Sequence, residues 1–394
     1  MGIIFSSFNG LEPKLRFPNF IEKWTRFEAE NIFKNITDKN HPTDTVLTIQ
    51  QGRGTLPRDL SGRNILYDNT NTKNYKRVQF GDFIIHLRSF EGGLEMANEQ
   101  GIVSPAYTIL RYIKPIAFGF YKAYFRTNEF INHILSKSVE GIRDGKQISY
   151  DAFKWLAIPY CQLEEQQKIA DFLSLVDQRI EKQRQLVESL KKYKRGLFLK
   201  LYNDSDKSIM LFKNIYKVAS EGGTPSTLDT ENYKNGKLPF IKIDDLYQHY
   251  LTSAKYFITE KGLKKSSAWL VPENSIIYSN GATIGACSIN KIPVTTKQGI
   301  LGIVPKSNFS VEFLYFFFTS SLFKEKIRAI TTKGTMDCAY LKDINDIKIS
   351  IPDFTVQQKI SKIMVDFENL IEYTEFSLMH LHNIKKGLLQ QMFI

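Results

Sequence analysis

The sequence predicts an α+β protein built from two globular α/β domains, each followed by a long helix, in which the two helices form an antiparallel coiled coil. Three observations lead to this prediction. A long helical segment occurs twice, both copies carry a heptad pattern, and the segments before them share short strand and turn patterns. Because the second half repeats the plan of the first, we expect a pseudo-two-fold internal repeat.

The helical segments match at a constant offset. Gln166-Gln167-Lys168-Ile169 corresponds to Gln357-Gln358-Lys359-Ile360, an offset of 357 − 166 = 191. Lys194-Arg195-Gly196-Leu197 corresponds to Lys385-Lys386-Gly387-Leu388 at the same offset. Since no residue is gained or lost between these two matches, the helical repeat is gapless and predicts a molecule of two corresponding parts.

Both segments carry apolar residues at alternating spacings of four and three, which is typical of a coiled-coil seam. The predicted seam consists of Ile169, Leu173, Val176, Ile180, Val187, Leu190 and Leu197 in the first helix and Ile360, Met364, Phe367, Ile371, Leu378, Leu381 and Leu388 in the second. Polar residues occupy the same seam positions in both copies, at Gln183 and Lys194 and at Thr374 and Lys385. This agreement favours pairing of the two helices over the alternative, in which each helix packs separately on its own domain.

The segments upstream of the helices are also related. Leu156-Ala157-Ile158-Pro159 precedes the first helix and Ile349-Ser350-Ile351-Pro352 precedes the second, and in each the proline can end a short strand. Further upstream, Phe80–Ile85 and Val271–Ile277 both read as a tight turn that leads into a buried strand. We therefore place the domains at 1–158 and 203–350 and the helices at 159–202 and 351–394.

Composition indicates a folded protein with an anionic partner. The chain has 394 residues, 42% of them hydrophobic, and a formal net charge of +12. Such a charge favours nucleic acid, although a solvated basic surface is an equally simple explanation. The three cysteines follow no pairing pattern, and neither a signal peptide nor a membrane-spanning stretch is evident. We expect a cytoplasmic protein with reduced thiols and no membrane contact.

Motifs for catalysis are absent from the sequence. It contains no GxxxxGK[ST] phosphate loop, no GxGxxG after a strand and no tetrapeptide of the amino-methyltransferase kind. His380 and His382 fall on different faces of the second helix, which is poor geometry for one metal ion. We therefore expect a non-catalytic protein without a metal site; the alternative is an enzyme, such as a nuclease, whose site is not recognisable in the sequence.

Candidate nucleic-acid contacts lie in glycine-rich, basic loops of both halves, since Arg and Lys bind phosphates and Arg, Asn and Gln read base edges. In the first half they are Arg53, Arg58, Arg63, Lys73, Lys76, Arg77, Lys146 and Gln147. In the second half they are Gly223, Thr224, Ser226, Asn280, Lys297, Gln298, Lys333 and Thr335. The alternative for any one of them is an ordinary exposed loop position, but the repetition of such loops in both halves favours binding.

Three features make the chain resemble the specificity subunits of type I restriction–modification systems. They are the opening Pro13–Phe20 with Trp24, the Glu164–Ile169 run with its repeat at Gln357, and Gly222–Ser226. The resemblance extends from about Pro13 to Ile394. The first half has no clear counterpart of Gly222–Ser226, so contact residues cannot be transferred between the halves.

The resemblance implies that each globular half is a target-recognition domain that reads one part of a bipartite duplex DNA target, with the helices as the spacer. It implies partners that carry the catalysis: two modification subunits that methylate adenine with S-adenosylmethionine, and restriction subunits that translocate and cut DNA with ATP and magnesium. No cofactor is expected in this chain. Phe172, Phe198 and Phe393 are expected to help dock the modification subunits. The alternative is a stand-alone two-headed DNA-binding regulator.

Overall fold

The two halves of the chain form two units, and each long helix contributes to both. The computed structural model describes residues 4–5, 12–62, 69–141, 146–246, 248–281, 283–332 and 337–393. Unit 1 comprises Met1–Arg184 with Phe376–Ile394, and unit 2 comprises Gln185–Glu375. The second segment of unit 1 begins 376 − 185 = 191 residues after the start of unit 2, which is the offset of the sequence repeat. Each unit thus holds one globular domain, the first half of the helix that follows it and the second half of the other helix.

Unit 1 contains short strands and short helices ahead of one long helix. Its strands are β1 (Ile4–Phe5), β2 (Leu15–Arg16), β3 (Thr25–Glu28), β4 (Phe33–Ile36), β5 (Leu47–Gln50), β6 (Gly54–Pro57), β7 (Lys76–Val78), β8 (Phe83–Ile85), β9 (Glu95–Met96), β10 (Gly101–Val103), β11 (Thr108–Tyr112), β12 (Val139–Glu140), β13 (Gln147–Ile148) and β14 (Ala157–Tyr160). Its helices are α1 (Ser89–Gly92), α2 (Phe118–Tyr124), α3 (Tyr150–Phe153) and α4 (Leu163–Asn203), of which α4 continues into unit 2.

The central sheet of unit 1 has the strand order β4-β11-β8-β9, with antiparallel pairing throughout. An aromatic core covers one face of this sheet. Phe33 and Phe83 of the sheet meet Tyr121 of α2 and the following Phe125, with ring centroids 5.0–5.8 Å apart. Burial of these large aromatic rings favours folding of the domain.

Unit 2 follows the same plan after the end of α4. Its strands are β15 (Lys207–Leu211), β16 (Tyr216–Glu221), β17 (Leu238–Ile241), β18 (Tyr250–Leu251), β19 (Phe257–Ile258), β20 (Ile276–Ser279), β21 (Cys287–Asn290), β22 (Thr295–Thr296), β23 (Ile300–Pro305) and β24 (Lys348–Pro352). Its helices are α5 (Glu260–Lys264), α6 (Val311–Thr319), α7 (Ser321–Ile330), α8 (Leu341–Asn345) and α9 (Phe354–Met392), of which α9 ends in unit 1.

The internal repeat extends from the helices into the central sheets. The sheet of unit 2 has the order β16-β23-β20-β21-β18, so its first four strands take the places of β4, β11, β8 and β9. Register is kept as well: Phe83 pairs with Met96 in unit 1, and Ile276 pairs with Ile289 in unit 2, an offset of 193 for both partners. The turns predicted to precede β8 and β20 also correspond, since Gly81 and Asn274 both have positive φ, 89° and 55°.

The two long helices run antiparallel, as predicted. In unit 1, Lys385 of α9 forms an ion pair with Asp177 of α4, and in unit 2, Lys194 of α4 forms one with Glu368 of α9. At the offset of 191, Asp177 corresponds to Glu368 and Lys194 corresponds to Lys385, so one ion pair is the repeat of the other. Every predicted seam residue is buried or half-buried. The coiled coil and its pseudo-two-fold repeat are therefore confirmed.

A buried glutamine joins each globular domain to the start of its helix. Gln166 donates from Nε2 to the carbonyl of Cys161 at 2.8 Å, and its Oε1 accepts the N–H of Ala117, which precedes α2, at 3.0 Å. Gln357 makes the same two bonds, to the carbonyl of Pro352 at 2.8 Å and from the N–H that precedes α6 at 2.9 Å. The repeated Gln-Gln-Lys-Ile motif thus has a structural reason.

Two of the three aromatic residues expected to dock partner subunits belong to the cores instead. Phe393 is 1% exposed and packs against Trp24 and Phe120, with ring centroids 6.3 and 5.1 Å away. Phe198 is 3% exposed and packs on Phe313. Phe172 is half-buried, with its ring against another aromatic side chain. The expectation is therefore wrong for Phe198 and Phe393, because a ring buried in its own domain offers no surface to a partner.

Candidate nucleic-acid interface

The predicted basic loop of the first domain is a β-hairpin with Arg53 at its tip. Strands β5 and β6 pair from Leu47 opposite Pro57 to Gln50 opposite Gly54, and Arg53 is exposed. The turn is closed by a backbone bond from the Arg53 N–H to the Gln50 carbonyl at 2.9 Å. Gly52 and Gly54 have φ of 84° and 87°, which an L side chain rarely adopts. The glycines of this loop therefore serve the turn itself.

A buried carboxylate accepts hydrogen bonds from the backbone of this turn. Glu95 of β9 is fully buried, and its two carboxylate oxygens accept the N–H groups of Gly52 at 2.7 Å and Gly54 at 2.9 Å. The guanidinium of Arg126 forms an ion pair with the same carboxylate. Because the charge of Glu95 is matched by one cation and two N–H donors, its burial is tolerated.

A second side chain fixes the backbone on both sides of Gly54. The Nδ2 of Asn98 donates to the carbonyl of Arg53 at 2.7 Å and to the carbonyl of Thr55 at 2.8 Å. Its own N–H donates to the Thr55 hydroxyl at 2.9 Å. The arginine is thus presented on a rigid backbone.

Two of the other predicted cations of the first domain are bound within the domain. Lys76 donates from Nζ to the carbonyl of Tyr107 at 2.6 Å, and burial, together with the charge of Lys39, lowers the pKa of Lys76. Arg77 forms an ion pair with Asp44 at 2.9 Å. These contacts tie strand β7 into the domain, so Lys76 and Arg77 are less available to a phosphate than the sequence indicates.

The remaining predicted residues of this domain differ in exposure. Lys73, Lys146 and Gln147 are exposed, and Arg58 is half-buried. Arg63 lies outside the described residues.

Helix α1 brings the hairpin tip and the loop at Lys146 together. The Nζ of Lys146 lies 5.6 Å from the ring centroid of Phe90 in α1. The side chain of Gln51 lies against Gly92 at the other end of α1, where a Cβ would be only 1.4 Å from its Nε2. Side chains from two loops that the sequence singled out, Gln51 beside Arg53 and Lys146, therefore contact the same short helix.

In the second domain the structure brings together three predicted loops. Gly299, with φ of 84°, donates its N–H to Oε1 of Glu221 at 2.6 Å. Its carbonyl accepts the N–H groups of Asn280 at 3.1 Å and Gly281 at 3.2 Å. The exposed Lys297 and Gln298 thus stand beside the segments at 221–223 and 280–281.

The glycines of the Gly222–Ser226 segment are required by close packing. A Cβ on Gly222 would lie 2.0 Å from the carbonyl oxygen of Thr296, and one on Gly223 would lie 2.5 Å from the backbone nitrogen of Ala268. Both glycines are buried, so Gly223 supports the loop and does not itself face a ligand. Thr224 and Ser226, which follow, are exposed and available for contact.

The placement of Asn280 does not fit the predicted reading of base edges. Its side chain is fully buried, and its Nδ2 donates to the carbonyl of Ala339 at 3.1 Å. A buried amide bound to the backbone cannot reach a base, so Asn280 is a structural residue. Lys333 and Thr335 lie outside the described residues; the flanking Thr332 and Cys338 pair through backbone hydrogen bonds.

Sequence reasoning missed Lys242 beside Lys297. Strands β17 and β22 are parallel, with Ile241 paired to Thr296, and Lys242 and Lys297 are the residues that follow them. Two parallel strands end at the same edge of a sheet, so both cations belong to that edge. Only the pairing of strands far apart in sequence reveals this neighbour.

A second missed cation is Arg88, which is exposed three residues after the end of β8. The offset of 193 between the central sheets relates Arg88 to Gly281, since 281 − 88 = 193, and Gly281 belongs to a loop that the sequence did single out. Applying the sheet offset to the predicted loop would have found Arg88.

Neither a metal centre nor a membrane helix is evident among the described residues. No group of three or more His, Cys, Asp or Glu side chains is placed to hold a metal ion within those ranges. No helix in the described part of the chain combines the length and the hydropathy needed to cross a bilayer.

A family model, the type I restriction modification DNA specificity domain, matches residues 27–192 and again residues 206–379. The chain belongs to this family. The two matches cover most of the chain and correspond to the two repeats, each one taking in a globular domain and much of the helix that follows it. The family therefore agrees with the duplicated architecture that the fold displays.

Curated relatives carry the same family name. The chain is 34% identical over 170 residues to the type I restriction enzyme MjaIX specificity subunit of Methanocaldococcus jannaschii. This match covers 42% of the present chain and 39% of that protein. It is 21% identical over 397 residues to the putative type I specificity subunit S.MgeORF438P of Mycoplasma genitalium, with 97% of both chains covered. The chain thus spans about two-fifths of the length of the first curated relatives it matches.

Solved structures share the fold over nearly the full length. The S subunit of the type I restriction–modification system from M. genitalium is matched with a TM-score of 0.53 at 18% identity, covering 98% of this chain and 99% of that one. A chain from a structural study of complex assembly and conformational transition of the type I R-M system is matched with a TM-score of 0.60 at 14% identity, covering 95% and 98%. At these identities the likeness concerns the fold.

Proposed function

We propose that this chain is the DNA-sequence-reading subunit of a type I restriction–modification complex, and that each of its two globular domains reads one part of a bipartite target. The observation that carries the proposal is the contrast between scaffold and loops. The central sheets keep the same register in both units, whereas the loops around Arg53 and around Lys297 differ in sequence and in the way they are held. A common scaffold with different exposed loops suits two readers of different sequences.

The exposed side chains have the chemistry that duplex DNA requires. An arginine such as Arg53 can bind the O6 and N7 atoms of guanine or neutralise a phosphate, and Gln298 can read adenine. Lys297 and Lys73 are exposed cations that suit phosphate contacts, in keeping with the net charge of +12. Together they supply both the positioning and the reading contacts of a specific complex.

Catalysis belongs to partner subunits in this proposal. Two modification subunits methylate adenine with S-adenosylmethionine, and restriction subunits cut DNA with ATP and magnesium. The modification subunits flip the target base out of the duplex, which is easier when a neighbouring reader grips the DNA on either side. This chain contributes sequence selection and binds no cofactor of its own.

The test is to express the chain with its modification subunits in a host that lacks adenine methylation and to sequence the methylome. We expect one bipartite motif with a fixed unspecified gap, and no methyl transfer by the purified chain alone. A contiguous motif, or methyl transfer by the chain alone, would contradict the proposal. An unmethylated genome combined with sequence-specific binding by the chain alone would favour a stand-alone regulator.

A further inference from the structure

We infer that Glu95 and Glu221 are positioning residues for DNA readout, each fixing the backbone of an exposed, reading turn through hydrogen bonds to glycine N–H groups. The inference rests on the proposed function, because it takes the turns at Arg53 and at Lys297–Gln298 as the surfaces that meet DNA. Glu95 is fully buried and therefore cannot itself touch a base. Each glutamate acts through the turn that it holds.

The hairpin does not need the Glu95 carboxylate in order to close. The turn already has its own backbone bond from Arg53 to Gln50. Glu95 adds one hydrogen bond to each of the two positive-φ glycines, Gly52 and Gly54, on either side of Arg53. Burying a carboxylate is costly unless it is fully paired, so its presence under an exposed turn indicates that the orientation of the turn matters.

Glu221 makes the corresponding contact in unit 2 from a different place in the fold. Its Oε1 accepts the N–H of Gly299 at 2.6 Å, next to the exposed Lys297 and Gln298. Under the sheet offset, Glu95 corresponds to Ser288, since 95 + 193 = 288, and Glu221 lies on another strand, β16. We call the contacts of Glu95 with Gly52 and Gly54 one clamp, and the contact of Glu221 with Gly299 the other. The two clamps are not copies of one ancestral contact, and each domain has its own.

The physical effect of such a clamp is preorganisation. Ordering a loop residue on binding costs backbone entropy, and a turn that is already ordered avoids this cost. The negative charge of Glu95 does not oppose the DNA, because the carboxylate is buried and paired with Arg126. A rigid turn discriminates better than a mobile one, because it cannot adapt to the wrong base pair.

The variants weaken the clamp of unit 1 and remove that of unit 2, without leaving a buried charge. In unit 1, Glu95→Gln replaces one of the two oxygens that accept from Gly52 and Gly54 with an NH₂ donor. It is combined with Arg126→Gln, because Arg126 would otherwise lose its carboxylate partner. In unit 2, Glu221→Met removes the acceptor at similar length, and Glu221→Gln, which keeps an acceptor, is the rescue variant. The control is Asp82→Asn with Arg111→Gln, an ion pair of the same kind whose carboxylate accepts from Arg111 and from the Gln79 N–H, and not from the hairpin.

Each variant is assembled with the modification subunits and bound to three duplexes of about 40 base pairs. One carries the motif read from the wild-type methylome, and the others have the first or the second half of the motif scrambled. We expect the Glu95 variant to lose roughly tenfold in discrimination of one half only, and Glu221→Met to lose as much for the other half. Amide hydrogen exchange at Gly52 and Gly54, or at Gly299, should accelerate correspondingly.

The outcomes separate the inference from the proposed function. Discrimination that survives in both clamp variants, while the wild-type complex discriminates, overturns the inference alone. The same holds if the control variant, or Glu221→Gln, loses as much discrimination as the clamp variants, since the effect would then be general destabilisation. A wild-type complex that does not discriminate among the duplexes overturns the proposed function and the inference with it.

Discussion

At the scale of single residues, the conserved plan of the two halves rests on the glutamine at each helix start. Gln166 and Gln357 are buried, and each donates to a carbonyl at the end of a strand and accepts the N–H that precedes a short helix. Their neighbours Gln167 and Gln358 are exposed. The sequence motif therefore combines one structural and one solvent-facing glutamine.

This difference makes a direct prediction for stability. Gln166→Ala leaves the Cys161 carbonyl and the Ala117 N–H buried without a partner, and we expect it to lower the free energy of unfolding of unit 1 by about 2–3 kcal/mol. Gln167→Ala is the matched control and should change it by less than about 0.5 kcal/mol. Urea unfolding monitored by tryptophan fluorescence measures both. Equal effects of the two substitutions would contradict the structural role of Gln166.

Arg53 is the residue for which we expect the largest direct effect on binding. Arg53→Ala should weaken binding of the assembled complex to its target by roughly tenfold and reduce the salt dependence of binding by about one ion. Arg179→Ala, an equally exposed arginine on α4, is the control and should leave both unchanged. Fluorescence anisotropy over a series of salt concentrations gives both quantities. If the salt dependence is unaltered in Arg53→Ala, Arg53 is an ordinary exposed loop residue that does not contact DNA.

The sequence identified the loops but not the side chains that hold them. Arg53 and Lys297 stand out because Gly and basic residues are adjacent in the sequence. Glu95 and Glu221 do not, since each is 40 or more residues from the glycines it binds and a single carboxylate has no local pattern. The predicted base contact of Asn280 is wrong for the same reason, because its buried amide binds the carbonyl of a residue 59 positions away.

At the scale of elements, the offset changes from 191 in the helices to 193 in the central sheets. The heptad pattern predicted the helices and their seam because helix contacts repeat within a few residues. The helices of the structure begin at Leu163 and Phe354, a few residues after the proline of each preceding strand. The strand order and the parallel pair β17–β22 could not be predicted, since they depend on contacts between distant segments.

The repeated ion pair offers a test of the coiled coil as an element. Lys194→Glu places two carboxylates together, and we expect a loss of about 1 kcal/mol of stability that Glu368→Lys restores in the double variant. The same exchange at Lys385 and Asp177 should have a smaller effect, because the Asp177 carboxylate is 55% exposed and that of Glu368 only 15%. A thermal midpoint that is lowered equally in the single and double Lys194 variants would argue against direct pairing.

At the scale of the whole molecule, each unit combines a globular domain with parts of both long helices. Residues 1–184 and 376–394 form one unit, and residues 185–375 form the other. The core of unit 1 includes Phe393, and that of unit 2 includes Tyr202, which lies 393 − 202 = 191 residues earlier. Neither half of the chain is thus complete without a helix segment from the other half.

We propose that the two domains read the two parts of the target and that the paired helices set the gap between them. The most direct measurement is methylome sequencing with a variant that carries one extra heptad after Gln183 and another after Thr374, the same seam position in both helices. We predict that the unspecified gap of the motif lengthens while both specified halves stay unchanged. A change in either specified half, or a gap that keeps its length in an active complex, would show that the helices do not act as the spacer.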